Sequence, residues 1–295
     1  MLGKLFKHEW KASIRVYGLL YILAAIFTVA VILYNEVFKN FAEGLESKWL
    51  QGILVSIEAI LGIGYILVLL AVNILTFIYL IYRFYQTMVC DEAYLTHTLP
   101  VTTGQLIIVK SVMAFCFQIL SIIITIISVL SLVMASGEWN SMISEFSHII
   151  QGIKESGFWC GNLAITLILG VLLIIVSWFF GIFTYYMCIC AGNLFHSHKL
   201  LGSVVVYFIF QFVMNILSVL LVIFGMWTVE RRLKHMGEFT ENAYMLDEWI
   251  SSMQPPEILS FVNSYLFLGF LIIAAGTTIL FLVSRYLLKN KLNLA

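Results

Sequence analysis

The sequence predicts an all-α integral membrane protein: six transmembrane helices preceded by an N-terminal interfacial helix. Of its 295 residues, 62% are hydrophobic and only 11% charged, whereas soluble domains are about one-quarter charged. The mean hydropathy is +1.01. The long uncharged runs exceed the 10 to 14 residues of a buried soluble helix and reach the roughly 20 needed to span a bilayer. They are continuous rather than alternating, which selects helices over barrel strands.

Residues 1–15 place Leu2, Leu5, Phe6 and Trp10 near one helical face with Lys4, Lys7 and Lys11 interleaved. This pattern predicts an elbow helix in the membrane interface before the chain turns into the bilayer. The six spans fall at residues 16–34, 53–82, 111–135, 161–191, 200–227 and 261–284. The first follows a basic segment and is long, so it is expected to be a retained anchor rather than a cleaved signal. The second and fourth, at about 30 residues, exceed the hydrocarbon thickness and must tilt, kink or project. Glu58 sets the first two turns of the second at the interface.

Between the second and third spans lies a connector, residues 83–110, longer than a simple crossing requires. Tyr79, Tyr82 and Tyr85 form an aromatic belt at its start. A short helix is expected from Thr87 to Leu99, ended by Pro100, which disfavours helix at the residue before it. Val101 to Gln105 turn the chain, and apolar helix resumes from Leu106. The connector from Asn193 to Lys199 is brief and polar. Residues 228–260 are longer: Tyr244, Met245, Trp249, Ile250 and Met253 lie among Glu241, Asp247 and Glu248, a pattern for short helices at the outer interface. Residues 136–160 have a similar character.

An even number of spans places both termini on one side, and positive charge accumulates on the cytoplasmic side. With the termini inside, the inner segments hold ten basic residues against Glu9, Asp91 and Glu92. The outer segments hold six basic and 13 acidic residues, Glu58 included. Zero net charge thus conceals a strong asymmetry, and both termini are expected in the cytoplasm. Cys90 falls in the inner connector, Cys116, Cys188 and Cys190 in spans, and Cys160 at an outer boundary. No disulfide framework is expected.

No Gly-x-x-x-x-Gly-Lys-Ser/Thr phosphate loop, His-Glu-x-x-His, Gly-x-Ser-x-Gly or Cys-x-x-Cys occurs, so the chain carries no enzyme signature of its own. Cys188, Cys190, His196 and His198 have no recognised metal-ligand spacing, and the two cysteines point about 200° apart on a helix. No metal site is expected. No carboxylate or lysine lies deep in a span, which disfavours an ion-coupled carrier. The deep polar residues are amides, Asn73, Gln118, Gln211 and Asn215, with Ser177 and Thr125. Gln211 and Asn215, spaced i, i+4, share one face. The four amides either line a substrate path or bond helix to helix, as buried amides commonly do.

Two segments carry a family resemblance: the opening Met1-Leu2-Gly3-Lys4-Leu5-Phe6-Lys7-His8-Glu9-Trp10-Lys11, and Asp91-Glu92-Ala93-Tyr94-Leu95-Thr96-His97-Thr98-Leu99-Pro100-Val101 after the second span. They resemble permease subunits of bacterial ABC-2-type transporters, particularly the Firmicute-like multidrug and antimicrobial-peptide exporters. The resemblance implies an ABC-2 exporter-like transmembrane domain in the bacterial cell membrane. It further implies pairing with a second permease, the same or related, and with two copies of a separate ATP-binding subunit that holds the ATP and Mg²⁺; no cofactor and no nucleic acid are expected on this chain. In such proteins the cytoplasmic helix between spans two and three docks on the ATPase. Here that coupling role falls to Cys90, Asp91, Glu92, Ala93, Tyr94, Leu95, Thr96, His97, Thr98 and Leu99. The outer connector 228–260 corresponds to the family's short outer helices, with re-entrance left open. The expected function is export of an amphipathic substrate such as a peptide antibiotic, drug or lipid-linked molecule. The alternative is a non-transporting membrane scaffold or sensor subunit that regulates a partner.

Overall fold

The computed structural model describes residues 2–42, 48–90, 93, 101–159, 161–195, 199–235 and 254–290. Among these the chain is all-helical: α1 (Leu2–Ala42), α2 (Lys48–Met88), α3 (Thr103–Ser136), α4 (Trp139–Glu155), α5 (Gly161–Gly192), α6 (Lys199–His235) and α7 (Pro255–Asn290). All but α4 are long and apolar enough to cross a membrane. This is the architecture of a multi-pass membrane protein. At 1.5 Å per residue the six run roughly 48 to 61 Å against a hydrocarbon core of about 30 Å, so every span, and not only the second and fourth, projects beyond the bilayer or tilts.

The chain divides into two compact units, residues 1–150 and 151–295. In the first, α1 and α3 run parallel with α2 antiparallel to both. Tyr17, Tyr21, Ala24, Val72, Val109, Met113 and Phe117 form its core. The ring of Phe117 lies 4.1 Å from that of Tyr17 and 4.6 Å from that of Trp10, both stacked, and Tyr79 meets Tyr17 edge-on at 5.1 Å. Where α1 meets α2, the Tyr17 hydroxyl donates to the Thr76 carbonyl at 3.4 Å; where it meets α3, that of Tyr21 donates to Phe117 at 3.1 Å.

The structure corrects the expected elbow. Residues 2–15 are not a separate interfacial helix, because α1 continues unbroken through them into the first span. All three prolines of the chain lie later in the sequence, so nothing removes a backbone hydrogen bond there. The apolar stripe also finds a different surface: Leu5, Phe6 and Trp10 pack on the core of the first unit. The sequence pattern fits both surfaces, since an amphipathic stripe records only that one face avoids water. Farther along, α2 runs to Met88 and α3 starts at Thr103, which shortens the expected 83–110 connector from both ends.

In the second unit α5 packs along α7 in parallel. Thr166 Oγ1 donates to Asn263 Oδ1 at 2.7 Å, and Asn162 Nδ2 donates to the Pro256 carbonyl at 3.0 Å. Phe183 meets Phe281 at 5.6 Å. The α5–α6 hairpin is closed by two glycines. A Cβ on Gly192 would lie 2.4 Å from the backbone nitrogen of Ser203, and one on Gly202 would lie 2.5 Å from the Phe195 ring. Only hydrogen fits where the two backbones approach this closely.

Candidate functional site

The end of the first unit that carries the connector is held by a charged junction of three helices. Glu9 lies two turns into α1, Arg83 and Thr87 lie in the last turns of α2, and Lys110 lies two turns into α3. Arg83 Nε and Nη2 both donate to Glu9 Oε2, at 3.1 and 2.9 Å. Lys110 Nζ donates to the other carboxylate oxygen, Oε1, at 2.8 Å, and to Thr87 Oγ1 at 2.7 Å. The side chains are 14%, 21% and 7% exposed for Glu9, Arg83 and Lys110. One carboxylate therefore accepts three charge-assisted bonds, the stronger class of hydrogen bond, from the two helices that flank the connector. The two cations repel each other, and the Glu9 carboxylate between them offsets that repulsion.

Local geometry fixes where the connector leaves and re-enters. After Met88 the chain tightens, with Val89 and Cys90 both donating to the Tyr85 carbonyl at 3.0 and 3.2 Å. Ala93 then donates to Cys90 O at 2.8 Å. Met88, Val89 and Ala93 are buried. At the re-entry Thr102 caps α3 in a full capping box: its hydroxyl accepts from Gln105 N at 3.4 Å, and its own N–H donates to Gln105 Oε1 at 3.1 Å. Two backbone donors at the helix start are thereby satisfied. Of the expected coupling residues, Cys90 and Ala93 are seen. Asp91, Glu92, Tyr94, Leu95, Thr96, His97, Thr98 and Leu99 lie outside the described residues, as do His196 and His198 of the other inner connector.

The four amides separate. Asn73 is bonded helix to helix: its Nδ2 donates to Thr125 Oγ1 at 2.9 Å, and its Oδ1 accepts from Ser121 at 3.0 Å. It also lines a groove of about 740 Å³ on the first unit, with Asn35, Glu58, Tyr65 and Thr125 as the other polar groups in a largely apolar wall. Gln118, on α3, keeps a buried Oε1 without a partner among the described residues. Gln211 and Asn215 belong to the second unit and are exposed on α6, so their shared face points away from that unit's core.

Two features escaped sequence reading. Glu9 counted there only as a charge, although a lone acid among Lys4, Lys7, Lys11 and Arg15 signals a partnered carboxylate. Ser128 of α3 was not singled out, yet it bonds both Thr28 of α1 and Tyr65 of α2. A serine in a run of isoleucines and leucines carries no periodic signal. Among the described residues no group of three or more His, Cys, Asp or Glu is arranged to hold a metal. The junction has no nucleophile beside a free base, and its chemistry is mechanical: it fixes helix ends. No protein-family model matches the chain, and no curated protein or solved structure matches it.

Proposed function

We propose that this chain is the membrane-spanning permease subunit of an ATP-driven exporter of the ABC-2 type, moving an amphipathic substrate with the help of a separate ATPase. The observation that carries the reading is the junction at Glu9. A connector that only joins two spans needs no rigid root. This one leaves α2 and re-enters α3 at points tied by ion pairs to α1, so displacement of the connector moves three helices together. The 295 residues carry no phosphate loop, and in this reading nucleotide hydrolysis belongs to a partner. The resemblance of the two quoted segments supplies the partner's class: two ATP-binding subunits, with a second permease completing the path.

In this reading closure of the ATPase pushes residues 90–99, and the junction delivers the push to α1, α2 and α3. The membrane is the bacterial cell membrane with both termini cytoplasmic, on the strength of the charge asymmetry. A scaffold or sensor subunit would dock a partner through the same connector without moving cargo. The test is made in reconstituted vesicles. Glu92→Lys and Tyr94→Asp are expected to abolish ATP-dependent transport and co-purification of the nucleotide-binding chain while membrane insertion is unchanged. Full transport by both variants removes the coupling assignment. A partner that docks but hydrolyses ATP without cargo movement favours the scaffold.

A further inference from the structure

Among the described residues, the helix between the third and fourth apolar spans is the one element that buries nothing. None of the residues of α4 is buried, and Phe146 is 65% exposed. At 100° per residue its apolar side chains Trp139, Met142, Ile143, Phe146, Ile149, Ile150 and Ile153 fall within an arc of roughly 120°. The remaining arc holds Ser141, Ser144, Glu145, Ser147, His148, Gln151, Lys154 and Glu155. This is a complete two-faced helix, and its apolar stripe is as wide as one that packs on a core.

Its own chemistry does not account for a stable helix of this length. Ser141, Ser144 and Ser147 each turn their hydroxyl back onto the carbonyl three residues earlier, at 2.7, 2.8 and 2.9 Å, and serine is a weak helix former. Even Ala-rich isolated helices are marginal in water up to about 12 to 15 residues, and α4, with three serines in its 17 residues, is little longer; helices in proteins draw most of their stability from the surface their apolar face covers. The chain at either end shows where that surface is. Only Gly137 and Glu138 separate α4 from α3, and five residues separate it from α5. Each link contains a glycine in the left-handed region, Gly137 at φ 83° and Gly157 at φ 75°, which turns the chain sharply. Both ends of α4 are thus held within a few residues of the ends of membrane-crossing helices. Trp139 opens the helix, and Trp159, with Lys154 5.2 Å over its ring, follows its close. Tryptophan concentrates at the membrane interface.

We infer that α4 lies flat on the bilayer surface opposite the N-terminus, with the stripe centred on Phe146 seated among the lipid acyl chains. The inference rests on the six long helices crossing the membrane and is independent of transport. Its charge identifies the kind of lipid contact. The polar face carries Glu145 and Glu155 against Lys154, with Glu138 just before the helix, so it offers no basic patch to anionic headgroups. The seat is hydrophobic and does not need anionic lipid, unlike the Lys- and Arg-rich helices that do.

The full-length protein, reconstituted in phosphatidylcholine vesicles, carries single spin labels at positions 143, 146 and 150 on the stripe and 144, 148 and 151 opposite it. Stripe labels are expected to collide with oxygen several-fold more than with a water-soluble nickel chelate, the opposite face showing the reverse, with a period of 3.6. The pattern is expected to be the same when phosphatidylglycerol is added. Equal exposure of both faces to the chelate overturns the seat. So does shielding of the stripe from both reagents, which means protein covers it, and so does a pattern that needs the anionic lipid. Because labelling alters native cysteines, amide exchange on the unlabelled protein gives a second reading. A Phe146→Asp/Ile150→Asp variant is expected to lose protection over residues 142–152 by at least tenfold while α3 is unchanged. Unaltered protection there also overturns the proposal.

Discussion

Replacement of Glu9 by glutamine tests the junction directly. The substitution keeps one acceptor oxygen and the side-chain length, removes the charge, and places an NH₂ donor against a cation. Lys110, only 7% exposed, retains Thr87 as a neutral partner, and Arg83 loses a carboxylate that both of its donating nitrogens share. Breaking a fully buried pair costs about 3 to 5 kcal/mol because the surviving charge stays out of water. Glu9 and Arg83 keep some exposure, so the lower end applies: about 3 kcal/mol, or somewhat more than a hundredfold in the population of the open junction. Hydrogen exchange of the amides at residues 84–90 reads that opening as a local free energy. A second arm identifies its origin. Lys110→Met alone removes one cation, and Glu9→Gln with Lys110→Met removes carboxylate and cation together, so the double variant should be less disturbed than the sum of the two singles by more than about 1 kcal/mol. Additivity within about 0.5 kcal/mol, the behaviour of independent sites, would refute the claim that the three charges act as one unit.

Two other substitutions probe the helix contacts. Gly192→Ala drives a methyl group into the Ser203 backbone at 2.4 Å, and an overpacked contact of this kind costs about 1 to 3 kcal/mol. The melting temperature in detergent is expected to fall, with Gly181→Ala, where no atom lies within 4 Å, as the unaffected control. Asn73→Ala removes bonds to Ser121 and Thr125, and interhelical bonds in membranes are worth about 0.6 to 1.7 kcal/mol. A stability loss of that size with unchanged transport per inserted molecule assigns Asn73 to helix pairing, whereas altered turnover at constant stability assigns it to the substrate path.

Helix class and the presence of six spans were legible because twenty consecutive apolar residues leave the backbone no other way to satisfy its hydrogen bonds in lipid. Span ends were not. Helices α1 and α2 continue well past the apolar runs into charged sequence, since hydropathy registers where water is excluded and is silent about where a helix stops. The break assumed after residue 15 illustrates the same point: the change from basic to apolar composition looks like a boundary, but no proline or glycine pair ends the helix there. The site was half legible. Its polar connector stands out between two apolar spans, and Pro100 and Thr102 mark its exit. The root at Glu9, Arg83 and Lys110 joins residues 74 and 101 apart in sequence, and a single sequence does not pair distant charges. Gln211 and Asn215 show the converse. Their spacing put them correctly on one face, but spacing leaves open whether that face meets protein, substrate or lipid.

The first unit is bonded at several levels from the junction upward. Above Glu9 come the Tyr17 and Tyr21 hydroxyls, then Asn73 with Ser121 and Thr125, then Ser128 between Thr28 and Tyr65. A slide of α1 past α3 would strip several of these bonds at once, in a medium without water to replace them. The three helices should therefore move as one body. Locking two of them together provides the test. Thr28 and Ser128 touch through their hydroxyls across α1 and α3, so a Thr28→Cys/Ser128→Cys pair is placed to form a disulfide on mild oxidation. Under the proposed function, transport by the oxidised protein should equal that of its reduced form, because the bridge forbids only a motion that the bonding already forbids. Loss of transport on oxidation, recovered with dithiothreitol, would mean that α1 and α3 slide during each cycle and that the push from the connector is not delivered to a rigid unit.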